Sequence, residues 1–216
     1  MNETYNREER TIAFINSLDK GNSAFLYELE KKALSDEVPI IRKETQSFIR
    51  FLLAAKKPKN ILEVGTAVGF SALLMSEAAP DALITTIEKY EKRIPVAREN
   101  FKLAGKEDKI TLLPGDAMLI LKELEGPYDF IFMDAAKGQY INFFPEVKRL
   151  LSPGGILLSD NVLQDGDIIE SRFAVTRRDR TIHGRMREYL YLLTHSDDLE
   201  TTILRGGDGM AVTVRK

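Results

Sequence analysis

At 216 residues with 44% hydrophobic composition, the chain suits one α/β domain with a full core, and no second domain is expected. A formal net charge of −2 with 30% charged residues excludes a globally basic nucleic-acid binder but leaves room for a local basic patch. The lack of cysteine removes disulfide frameworks and thiolate zinc sites and fits a reducing cytoplasm, while a polar MNETYNREER start and no apolar run near the roughly 20 residues of a span argue against export and membrane insertion.

In chain order, Arg7 to Leu18 and Ser23 to Leu34 read as amphipathic helices, with Ile12, Ile15 and Leu18, then Leu26, Leu29 and Ala33, at helical spacing. SDEVPII breaks the pattern at Pro39. Glu44 to Ala55 then forms a third helix with Phe48, Ile49, Leu52 and Leu53 inward. Strands are expected at Ile61 to Gly65, Leu83 to Glu88, Lys109 to Pro114, Asp129 to Asp134 and Gly155 to Asp160. The gaps between them carry helical patterns at Phe70 to Ala79, Glu91 to Ala104, Ala117 to Leu124 and Tyr140 to Leu151. Such βαβ repetition predicts a Rossmann-like, doubly wound, mostly parallel sheet. A polar loop follows Asp160, then a helix around Ile182 to Thr194. Glu200 to Arg205 and Met210 to Arg215 close the chain, and the GGDG between them is too short for a parallel crossover, so this pair is antiparallel. The reading is therefore a seven-stranded sheet in a single domain, residues 1–58 forming a helical cap and 59–216 the core.

The stretch NILEVGTAVG, Asn60 to Gly69, is the pivot of the chain. A buried strand enters a glycine turn and a helix begins at once, which lets the backbone approach a ligand closely and offers free N–H groups. The spacing is E-x-G-x-x-x-G, not the G-x-G-x-x-G that an NAD-dependent oxidoreductase on this architecture would want. With Glu63 at the strand end and Gly65 and Gly69 bracketing the turn, it better suits a cationic ligand carrying an amino group, of which S-adenosylmethionine is one.

Ligands of a doubly wound sheet sit beyond the carboxyl ends of its strands, and Glu63, Glu88, Asp116, Asp134 and Asp160 all lie at such ends. Glu88, 19 residues beyond Gly69, stands where a carboxylate accepts hydrogen bonds from a ribose diol. Asp116 with Ala117 could flank an adenine or simply cap a helix. Asp134, Asp160 and Asn161 supply three hard oxygen ligands suited to Mg²⁺ or Ca²⁺, against the plainer alternative of an Asx turn at Asp160-Asn161. Lys137 is either a surface lysine or, beside a divalent cation and a sulfonium that would destabilise its ammonium, a base.

Between Arg172 and Arg187 there are six arginines and one aspartate, Asp179. This strip, including Arg177, Arg178 and Arg180, is either a solvated face or a set of phosphate contacts at the mouth of the site. His183 inside it could serve a phosphate or the chemistry; His195 carries no signal.

ILEVGTAVGFSA, TIEK, GDA, DFIFMDAAKGQY, LLSDNVL and GDGMAVTVRK together resemble the cation-dependent class I S-adenosylmethionine O-methyltransferases of the catechol and caffeoyl-CoA type, over nearly the whole chain. Within that group AAKGQY, NFF and the arginine-rich stretch are most similar to the bacterial tRNA enzymes that convert wobble 5-hydroxyuridine to 5-methoxyuridine. The resemblance implies S-adenosylmethionine held by Val38, Glu63, Gly65, Thr66, Gly69, Ser71, Glu88, Asp116, Ala117 and Asp134, and a metal held by Asp134, Asp160 and Asn161. It further implies Lys137 and Asp134 as catalytic groups, Lys137 and the arginines facing a tRNA anticodon loop, a small phenol as the alternative substrate, and a homodimer. The chain departs from the catechol enzymes at Ala135 and Ala136, where those carry bulky aromatics. A more open site is the expectation.

Overall fold

The computed structural model describes residues 2–216. Three helices come first, α1 (Asn2–Ser17), α2 (Ala24–Ser35) and α3 (Lys43–Lys56). The alternating core follows as β1 (Asn60–Val64), α4 (Phe70–Ala78), β2 (Leu83–Glu88), α5 (Ile94–Leu103), β3 (Ile110–Pro114), α6 (Ala117–Glu123), β4 (Tyr128–Met133), α7 (Tyr140–Leu150) and β5 (Leu151–Ser159). It closes with α8 (Arg180–His195), β6 (Leu199–Leu204) and β7 (Met210–Arg215), and short 3-10 turns occupy Lys137–Gln139 and Gln164–Ile169.

The strands form one seven-stranded sheet in the order β3-β2-β1-β4-β5-β7-β6. β1 to β5 pair in parallel, and β7 runs antiparallel to both β5 and β6, as the short GGDG connection requires. Winding proceeds outward from β1 to β3, then jumps back to β4 on the other side of β1. The crevice at that reversal is where ligands of such sheets bind.

Side-chain alternation along the strands builds two cores. Ile61, Phe130, Phe132 and Leu158 pack beneath α2 to α5, whereas Leu62, Ile131, Met133 and Leu157 pack against α6 to α8. Three features depart from the sequence expectation. α5 starts at Ile94 rather than Glu91, because Pro95 sits in its first turn where a missing N–H costs nothing. β5 starts at Leu151, pairing there with Tyr128 before a register shift near Phe130 absorbs the Pro153-Gly154-Gly155 stretch. The third departure is α1, whose expected apolar face stays open: Ile12 and Ile15, with Leu18 just beyond the helix, are 42%, 56% and 68% exposed.

Candidate active site

A cavity of about 1060 Å³ opens at the carboxyl ends of β1, β2 and β4. Its wall runs from Pro39, Ile40 and Ile41 ahead of α3, through the β1–α4 turn, past Glu88 and Asp116, to Asp134, Lys137 and Asn161. Gly65 and Gly69 make the turn possible. Gly65 has φ +111°, and a Cβ there would fall 1.9 Å from the Asp134 carbonyl oxygen; at Gly69, φ +86°, it would meet the Phe101 ring at 2.5 Å. Ala67 also takes a positive φ of 47°, and its N–H donates to Glu88 Oε2 at 2.7 Å. Glu88 Oε1 accepts from the Tyr90 N–H at 2.7 Å, so this carboxylate holds the turn while facing the cavity.

Glu63 does not reach the cavity. Its carboxylate is wholly buried, accepting from Ser71 Oγ and, at 2.5 Å, from Thr86 Oγ1, the residue in register with it on β2. Thr86 in turn contacts Thr66 Oγ1 at 2.5 Å. Burial pushes the Glu63 pKa up to about 7, against the pull of the two hydroxyls. Glu63, expected to meet a ligand amino group, is thus kept off the cavity: Gly65, Thr66 and Ser71 form the wall, with the carboxylate behind them. Val38 and Gly69 likewise stand behind the lining, Val38 packed against the core and Gly69 under Phe101.

Asp116 combines both roles the sequence left open. It caps α6 by accepting from the Met118 N–H at 2.9 Å, and with Ala117 it lines the cavity. Lys89, 2.6 Å away, and the Met118 N–H hold its carboxyl below the usual range.

The third constellation forms because the sheet ladder runs past its strands. The Asp134 N–H donates to the Val64 carbonyl at 3.0 Å and the Asp160 N–H to the Met133 carbonyl at 3.0 Å. β5 is separated from β1 by β4, so Asp160 stands one strand further from the glycine turn than Asp134, yet Asn161 beside it still reaches Asp134. Asn161, in a left-handed conformation at φ 59°, points Nδ2 at Asp134 Oδ1, 3.4 Å distant. Asp160 is 2% exposed, and its Oδ1 accepts from the Asn161 N–H at 2.9 Å and from Thr45 Oγ1 at 3.3 Å. Burial, reinforced by the Asp134 charge, pushes the Asp160 pKa up to about 7; burial also raises that of Asp134, opposed by the nearby Lys137 ammonium. Among the described residues no trio of His, Cys, Asp and Glu gathers into a metal cage. The candidate donor set is two carboxylates and a carboxamide. A buried and a half-buried carboxylate that repel one another, beside a carboxamide, suit a hard, oxygen-seeking cation.

The arginine strip lies outside this cavity. Arg177 and Arg178 are exposed, and the Arg180 guanidinium stands 5.9 Å from the Phe173 ring centroid. Arg185 donates to the Gly138 carbonyl at 3.1 Å, which ties α8 to the 3-10 turn carrying Lys137. His183 is buried at 3% exposure with Nε2 3.1 Å from the Glu170 carbonyl, so it braces the loop rather than facing a phosphate. Two residues had no role in the sequence reading. Tyr140 is wholly buried, and its hydroxyl lies 3.0 Å from the Met133 carbonyl, 3.1 Å from the Asp160 carbonyl and 3.4 Å from the Ala135 N–H. Thr45, far away in sequence, touches Asp160. The only available signal for Tyr140 was that a tyrosine on an apolar helix face needs a partner for its hydroxyl.

Sheet order, reversed last strand, glycine turn and a carboxylate at the end of β2 define a class I methyltransferase architecture. Residues 16–216 match the O-methyltransferase family. Catechol O-methyltransferase of Niastella koreensis is 32% identical over 179 residues, covering 78% of this chain and 79% of that protein. Catechol O-methyltransferase of Mycobacterium tuberculosis is 30% identical over 207 residues, covering 94% and 93%. The SAH-bound methyltransferase PaMTH1 of Podospora anserina superposes with a TM-score of 0.87 at 29% identity, covering 100% and 97%. The chain therefore belongs to the O-methyltransferase family and is an S-adenosylmethionine-dependent O-methyltransferase.

Proposed function

We propose that this enzyme methylates one oxygen of a vicinal dioxygen pair, with a divalent cation such as Mg²⁺ held by Asp134, Asp160 and Asn161. The observation that carries the reading is the meeting of a buried carboxylate, Asp160, a half-buried one, Asp134, and a carboxamide, Asn161, at neighbouring strand tips, with Asp134 and Asn161 lining a cavity that also reaches Glu88 and Lys137 while Asp160 stands just behind that wall. Glu88 would take the ribose of S-adenosylmethionine, Asp116 and Ala117 its adenine, and Gly65, Thr66 and Ser71 its amino acid end. When bound, the cation would supply Lewis acidity that makes a phenolic or enolic hydroxyl easier to deprotonate. Lys137, on the same cavity wall as Asp134, would take that proton as its neutral amine. The remaining work of the protein is alignment, since an in-line methyl displacement is served mainly by positioning.

The catechol-named relatives support a small catechol or caffeoyl-type phenol as substrate. A second reading is wobble 5-hydroxyuridine of tRNA, whose O5 and O4 offer the same pair of oxygens and whose base can be splayed from the anticodon loop. It is favoured by exposed Arg177 and Arg178 just ahead of a helix joined to the cavity wall through Arg185, and by the small Ala135 and Ala136 on that wall. A homodimer belongs to either reading and would cover the bare apolar face of α1.

Purified protein assayed with Mg²⁺ on caffeate and on an anticodon stem-loop bearing 5-hydroxyuridine separates the substrates. Turnover on caffeate alone supports the phenol, and turnover on RNA alone supports the nucleotide. Undiminished turnover by Asp160→Ala in the presence of EDTA would refute the cation.

A further inference from the structure

Thr45 occupies the first turn of α3 in the helical cap, 115 positions before Asp160 in sequence. It is 1% exposed, so its hydroxyl must find a partner inside the protein. A threonine within a helix ordinarily turns its hydroxyl back to the carbonyl four residues earlier. Here that carbonyl, of Ile41, already accepts from Gln46 Nε2 at 2.8 Å. The hydroxyl donates instead to Asp160 Oδ1 at 3.3 Å.

The surroundings hold this contact from both sides. Arg42, capping α3, pairs with Asp208 at 2.5 Å, and the Asp208 and Gly209 carbonyls accept from the Leu163 and Val162 N–H groups at 2.9 and 3.0 Å. A Cβ on Gly207 would lie 3.3 Å from Thr45 Oγ1, so the β6–β7 hairpin closes over the hydroxyl. The helix bearing Thr45 and the loop bearing Asp160 are therefore fastened to the same hairpin. Both donors to Asp160, the Asn161 N–H and Thr45 Oγ1, fall on Oδ1. None of the described contacts falls on Oδ2.

We propose that Thr45 is a positioning residue for cation binding, its hydroxyl occupying Oδ1 of Asp160 so that Oδ2 is presented to the metal in one fixed orientation. The inference rests on the cation reading above. It makes the helical cap part of the metal site without lending it a ligand. Hydrogen-bond partners of metal ligands matter in this way because a carboxylate free to rotate loses entropy on binding that a held one has already lost.

The test compares wild type, Thr45→Val and Thr45→Ser by calorimetric titration with Mn²⁺ and, separately, with S-adenosylhomocysteine. Valine keeps the shape and removes the donor; serine keeps the donor. Thr45→Val should bind Mn²⁺ about tenfold more weakly, the lower end for loss of such a partner, while Thr45→Ser stays within about twofold of wild type. S-adenosylhomocysteine affinity should be unchanged in both, which shows that the cavity is intact. Equal Mn²⁺ affinity in Thr45→Val and wild type overturns the proposal, as does equal weakening in the two variants, which would assign the effect to packing. Failure of wild type itself to bind Mn²⁺, with S-adenosylhomocysteine still bound, would strike the underlying cation reading and the proposal together.

Discussion

Replacing Glu63 by Gln should remove a pH-dependent cost from the folded protein. Glu63 is wholly buried, with no counter-ion among its described contacts, and its pKa rises from 4.5 to about 7 on folding. The folded state thus holds this proton more tightly than the unfolded chain. Its contribution to stability is fully present below pH 4.5, is lost progressively as pH rises to about 7, and changes no further above that. At 1.36 kcal/mol per pH unit across about 2.5 units the loss is about 3 kcal/mol, an order-of-magnitude figure for one buried group. Glutamine is near-isosteric and has no proton to lose; one hydroxyl can donate to its oxygen and the other can turn to accept from its amide. Urea unfolding of both proteins in EDTA, from pH 4.5 to pH 8, should show the variant gaining about 3 kcal/mol on wild type across that interval. A constant difference between the two curves would refute the argument. It would mean that Ser71 and Thr86 compensate the ionised carboxylate in full.

Gly65→Ala places a methyl 1.9 Å from the Asp134 carbonyl oxygen at φ +111°. The protein should lose about 3 kcal/mol or more by urea midpoint, together with S-adenosylhomocysteine binding. Tyr140→Phe leaves the Met133 and Asp160 carbonyls without their shared donor. It should cost about 1–2 kcal/mol in unfolding measurements. Arg177→Ala with Arg178→Ala touches only exposed side chains, so stability should move by less than about 0.5 kcal/mol and caffeate turnover not at all. If RNA is the substrate, the double substitution should lower the salt slope of RNA binding by about 1.4, near 0.7 for each phosphate that an arginine no longer neutralises.

The elements and their order were legible from the residues alone. Apolar spacing near 3.6 and near 2 separates helices from strands, proline and glycine punctuate them, and a four-residue GGDG permits nothing but an antiparallel return. The same local grammar placed Glu88, Asp116, Asp134, Asp160 and Asn161 at the strand tips, where the structure has them. Which way a carboxylate looks from a strand tip is another matter, since it depends on the register of the neighbouring strand and the helix packed above. Glu63 was assigned to a ligand and is instead enclosed by Ser71 and Thr86, because it lies on the sheet face that α4 covers. α1 has the periodicity of a buried helix and stays bare, because periodicity says that a face is apolar without saying what covers it. Sequence determined the architecture and the inventory of chemistry, through interactions reaching only a few residues along the chain. Only tertiary packing decided the contact between Thr45 and Asp160 across 115 positions, and with it which oxygen of that carboxylate is satisfied within the protein, because a strand tip and a helix so far apart in sequence meet only when the whole sheet is assembled.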